Sequence, residues 1–89
     1  MNNMIHLIKK INKTEPYKLD LLFNTGESKV VDLTDKLTQW SKSSDSKFKE
    51  LLNPDYFITV KLDPELETVY WDNGIDFCPD SLYEWASSR

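Results

Sequence analysis

The 89-residue sequence contains one cysteine, one histidine and two glycines, and each scarcity removes a class of chemistry. With Cys78 alone, no internal disulfide forms; small exported domains usually depend on disulfides, so a cytoplasmic location is expected. One Cys and one His are too few for a zinc site. Gly26 and Gly74 stand in separate turns, so no phosphate-cradling loop, Walker motif or dinucleotide-binding motif is assembled. No stretch approaches the roughly 20 apolar residues of a membrane helix, and Met1 to Ile11 has no signal-peptide run. There is no basic excess either. Eleven Lys and Arg against 15 Asp and Glu give a net charge of -4 and a pI near 4.8, a field that repels phosphate backbones and anionic lipid. Membrane is excluded as a partner and nucleic acid is disfavoured. Lys9, Lys10 and Lys13 form the only dense basic cluster and read as solvated lysines that blunt a sheet edge.

What is present is a foldable composition, 39% hydrophobic and 12% aromatic against 29% charged. A chain of this length builds one core, so residues 1–89 are expected to form a single small domain that buries roughly 60% of its unfolded surface.

Ile5, Leu7 and Ile11 share one side of an extended chain, which predicts a first strand over Ile5–Ile11. Tyr17, Leu19, Leu21 and Phe23 alternate with more polar neighbours, and Lys29, Val31 and Leu33 share a side after Asn24-Thr25-Gly26. A three-residue loop at that point sets Leu19 opposite Val31 and Tyr17 opposite Leu33, so both apolar sets face the same way; a two-residue loop opposes Leu19 to Asp32. The spacing then changes. Leu33, Leu37 and Trp40 fall at i, i+4, i+7, and Phe48, Leu51 and Leu52 at i, i+3, i+4, which predicts two short helices around the spacer Ser41–Ser44. Asp45 or Ser46 is expected to cap the second helix, and Asn53-Pro54 to end it.

Tyr56, Ile58, Val60 and Leu62 alternate again, predicting a strand that returns through Asp63-Pro64-Glu65-Leu66 and places Val69 and Trp71 beside Val60 and Ile58. Treating Asp72-Asn73-Gly74 as a three-residue loop sets Trp71 opposite Ile75 and Val69 opposite Phe77. Pro79 suits the first position of a last short helix, with Asp80 beside its positive end. The expected class is α+β: a mainly antiparallel sheet of about five to six strands packed with two to three short helices.

Few residues offer catalysis. His6, the sole base of its kind, sits in the first strand, and a Cys78–His6 dyad lacks any orienting partner; Cys78 is expected to be a small buried hydrophobe. Asp72, Asp76 and Asp80 repeat at i+4, a spacing that gathers side chains only on a helix, and this segment turns. No catalytic, cofactor or metal residue is therefore assigned. The aromatics remain: eleven rings in so short a chain leave Phe57, Tyr70 and Trp85 as candidate partly exposed anchors for a protein partner or a second copy.

The tail Trp71-x-Asn73-Gly74-x-Asp76-x-x-Pro79-x-x-Leu82-Tyr83 follows Phe57-x-x-Val60, and Tyr17-x-Leu19-x-Leu21-x-Phe23-x-x-Gly26-Glu27 precedes Val31-Asp32-Leu33. In this order the segments resemble the bacterial domain-of-unknown-function 2442 family, DUF2442, over nearly the whole chain. The resemblance implies a small α+β domain with no established activity, whose members are often encoded beside other small domains in the manner of toxin–antitoxin pairs. It supplies no catalytic residues. Some members carry a C-terminal helix-turn-helix, which the sequence to Arg89 does not include. The expected function is a non-enzymatic protein-interaction module, one component of such a pair. The alternatives are a small metal-dependent enzyme using the acids of the C-terminal half, and a nucleic-acid-associated regulator acting through the amino-terminal lysines.

Overall fold

A computed structural model describes residues 5–42 and 46–88. Strand β1 (Ile8–Glu15) pairs antiparallel with β2 (Lys18–Phe23), which pairs antiparallel with β3 (Ser28–Asp32). The two-residue β6 (Ser87–Ser88) adds to the free side of β3. A separate ribbon is formed by β4 (Lys61–Asp63) and β5 (Thr68–Tyr70). Four short helices complete the described chain: α1 (Thr34–Trp40), α2 (Phe48–Leu51), α3 (Pro54–Phe57) and α4 (Pro79–Trp85). The α+β class stands, but the strands divide between two sheets rather than one, and the helices outnumber the expected two to three.

Both glycine loops take the register that apolar matching requires. Leu19 pairs with Val31, the Phe23 N–H donates to the Glu27 carbonyl, and the Leu33 N–H donates to the Tyr17 carbonyl. Gly26 closes this hairpin at φ 91° and Gly74 closes the second at φ 94°. There the Trp71 N–H donates to the Ile75 carbonyl at 2.8 Å, and Tyr70 bridges Asp76. As a result Leu19, Val31, Val69 and Phe77 are all buried in one core with Trp71, Leu82 and Phe57.

The first strand lies later than expected, at Ile8–Glu15, and Ile5 is exposed. Its register shifts twice, between Ile8 and Lys10 and between Ile11 and Lys13. Each shift inserts one residue against the partner strand, and the first, between Ile8 and Lys10, turns Ile8 and Ile11 toward the same face although strict alternation separates them. The chain reverses at Pro16-Tyr17, with Tyr17 at φ 70°. This unfavourable conformation is held by its side chain, whose hydroxyl donates to the Leu52 carbonyl and whose ring meets Phe57 edge-on at 5.7 Å.

The strand expected from Tyr56 is absent at its start. Pro54 presets the first helical φ and the Asn53 side chain accepts from the Asp55 N–H at 3.0 Å, so residues 54–57 wind into α3 instead. Ile58 is consequently 47% exposed and does not face Trp71. The ribbon register also moves, to Leu62 opposite Val69. Asp63 explains this: its carboxylate accepts from the Glu65 and Leu66 N–H groups and its carbonyl from Glu67, which shifts the four-residue turn one residue along the chain, to Pro64–Glu67. At α2 the Ser46 hydroxyl accepts from the Phe48 N–H at 3.1 Å, as a cap does; Asp45, the other expected cap, lies outside the described residues, as do Ser43 and Ser44.

A Cβ on Gly26 meets nothing within 4 Å and one on Gly74 meets only the Lys47 ammonium at 3.7 Å, so the cost of a side chain at either position is that of left-handed backbone alone. Gly26→Ala and Gly74→Ala are each expected to lower unfolding free energy by about 1–2 kcal/mol without changing the urea m-value. A loss below a few tenths in both variants would contradict the bulge geometry.

Candidate functional site

On α1 the apolar stripe Leu33, Leu37, Trp40 buries its first two members and leaves Trp40 half-buried at the helix end. On α4, Leu82 is buried and Trp85, one turn later on the same side, is half-buried. The two indoles meet with centroids 5.7 Å apart. Phe48, at the start of α2, lies 5.1 Å from Trp40. Behind them the buried Phe77 touches all three rings, at 5.8 Å from Trp40, 6.3 Å from Phe48 and 6.1 Å from Trp85. Three helices thus deliver three half-buried rings onto one buried ring. The Lys36 ammonium lies over Trp85 at 4.8 Å from its centroid.

A second cluster joins distant parts of the chain. The His6 N–H donates to Asp80 Oδ1 at 2.8 Å, and His6 Nδ1 stands 2.8 Å from the same oxygen. An ionised carboxylate only accepts, so the ring proton lies on Nδ1. The imidazole stacks on Tyr83 at 3.8 Å, and the Tyr83 hydroxyl donates to Glu27 Oε1 at 2.6 Å. Lys29 covers the Tyr83 ring at 4.4 Å. The bonds from Tyr83 and Thr25 hold the Glu27 carboxyl below its ordinary range, and the same bond to Glu27 pushes the Tyr83 phenol up. The His6 N–H and ring likewise hold Asp80 low. His6, expected within the first strand, is therefore a clasp between the segment before β1 and α4.

The three expected anchors separate. Trp85 is in the aromatic cluster. Tyr70 is half-buried in the β4–β5 ribbon opposite Lys61, and makes no ring contact among the described residues. Phe57, expected to be partly exposed, is 0% exposed, because α3 turns its ring into the core against Trp71 at 5.4 Å. Trp40 and Phe48, read as helix core positions, are the members sequence reasoning missed; their place at helix ends, where a stripe runs out of core, is the signal that marks them. Cys78, expected to be buried, is exposed, since Phe77 takes the inward position beside it.

The motif residues carry structure. The Trp71 indole N–H donates to the Phe57 carbonyl at 2.9 Å, and Asn73 accepts from the Ile75 N–H and donates to Glu50 at 2.8 Å. Gly74 closes the loop, Pro79 opens α4, Leu82 is buried, Tyr83 stacks on His6, and the Asp76 side chain is exposed. Asp72 binds Lys61 at 2.9 Å and Asp80 binds His6, so the i+4 acids go to different partners. Among the described residues no three His, Cys, Asp or Glu side chains are grouped to hold a metal ion, and no helix is long and apolar enough to cross a membrane. The amino-terminal lysines lie on β1: Lys9 pairs with Glu67, Lys13 with Glu15, and a shallow depression between Lys13, Glu15, Lys18, Asp20 and Val30 carries both signs of charge.

The family model described as a protein of unknown function, DUF2442, matches residues 8–88. The chain belongs to the DUF2442 family. No curated protein and no solved structure matches it. The match takes in the second glycine hairpin, all four helices and Asp80, but starts after His6, so the clasp of this DUF2442 domain reaches from the matched region to a residue before it.

Because Asp80 titrates below its ordinary 3.8 when folded, the clasp stabilises fully above about pH 4 and is lost as pH falls through the lowered value. The melting-temperature gap between wild type and Asp80→Asn is expected to narrow below about pH 4. A gap that is unchanged down to pH 2 would contradict the contact.

Proposed function

We propose that this DUF2442 domain is a non-enzymatic cytoplasmic module that binds a protein partner through the Trp40–Phe48–Trp85 face, as one component of a small pair of the toxin–antitoxin kind. The observation that carries the reading is three half-buried rings, delivered by three separate helices, with Trp40 in contact with both Phe48 and Trp85 and all three over the buried Phe77. Aromatic rings bring large contact area with few rotatable bonds, and tryptophan is among the residues most enriched at interface hot spots. The disposition of the acids supports the same reading. Glu67 and Asp72 are each paired with one lysine, Lys9 and Lys61, and Asp80 accepts from His6, rather than converging on a cavity where proton transfer or a metal would need them. Acidity of the whole chain favours a partner with a basic surface.

Co-purification of the tagged domain from its native host is expected to recover a stoichiometric protein, with light scattering separating that outcome from a homodimer. Trp85→Ala is expected to weaken the complex at least about 30-fold, the scale of a hot-spot tryptophan, while circular dichroism stays unchanged. A monomer with no partner, or full binding by a folded Trp85→Ala variant, would overturn the proposal.

A further inference from the structure

We infer that the partner presents a lysine or arginine side chain, from a basic segment, to the exposed face of Trp85, displacing Lys36; this rests on the reading of the Trp40–Phe48–Trp85 face as an interface. The domain itself displays the chemistry. The Lys36 ammonium already lies 4.8 Å from the Trp85 centroid, so this ring face accepts a cation. At a half-exposed site that attraction is weak, so a competing cation exchanges with Lys36 readily. A guanidinium stacks on indole better than an ammonium and keeps its donors free at the ring edge, which favours arginine.

The charge of this part of the chain points the same way. Residues 62–88 carry seven carboxylates and no lysine, arginine or histidine. Glu67 and Asp72 pair with lysines, Asp80 accepts from His6 and Asp63 shapes its turn. The carboxylates of Asp76 and Glu84 are exposed and make no hydrogen bond or ion pair with the described residues. They add uncompensated negative charge that attracts a basic segment.

The test titrates a capped hexa-arginine peptide into the folded domain, following the Trp85 indole N–H resonance, with the uncharged hexa-citrulline peptide as comparison. Hexa-arginine is expected to bind with a shift at Trp85 and hexa-citrulline at least tenfold more weakly. Lys36→Ala frees the ring and is expected to tighten binding about threefold, the cation–π contribution expressed as a ratio. Lys49→Ala, which removes the same charge from α2, is expected to change it less than half as much. Trp85→Phe keeps an aromatic ring for packing and is expected to weaken binding severalfold. Equal binding of both peptides, equal effects of the two lysine variants, or binding without a shift at Trp85 would overturn the inference. If any of these is found while the native complex still depends on Trp85, the interface stands and only the cationic chemistry falls.

Discussion

The buried indole of Trp71 is the constraint on which the other contacts rest. Its N–H has no water to bond and must find an acceptor, and the Phe57 carbonyl at the end of α3 supplies one at 2.9 Å. That bond ties the second glycine hairpin to the turn after α2. A train of rings extends from it in both directions: toward the first hairpin through Phe57 and Tyr17, and toward α4 through Phe77 and Trp85. The sheet, the ribbon and the helices are thereby packed by one continuous aromatic spine, and its outer end is the half-buried cluster. No buried side-chain nitrogen or oxygen among the described residues lacks a partner.

The register of the two glycine hairpins was legible because it is over-determined. At Asn24–Gly26 and at Asp72–Gly74 the wrong loop length turns an apolar residue to water, and the positive φ of each glycine agrees with the choice made by the apolar faces. The segment 54–60 misled for the opposite reason. Tyr56, Ile58 and Val60 alternate, but a proline and an Asx cap act locally and wind the chain before any ladder forms. The bulges in β1 were equally hidden, since an inserted residue leaves no mark other than the placing of Ile8 and Ile11 on one face.

The site was less legible than the fold. Composition pointed to surplus aromatic surface, but which rings remain at the surface depends on where helices end in space. Trp85 was recognised; Trp40 and Phe48 were not; Phe57 was assigned to the surface because its segment was read as a strand. The clasp between His6 and Asp80 joins residues 74 positions apart and follows from no local pattern. Contacts of that kind arise only once β2, β3 and α4 have brought Glu27, Tyr83 and the N-terminal segment together.

The two kinks in β1 have a consequence for crowding in the cell. A straight outer strand is a template on which foreign backbone can zip, and repetition of that event builds fibres. Here the offered amide groups fall out of step twice within eight residues, and lysines stand along them. Main-chain recruitment is discouraged on this border.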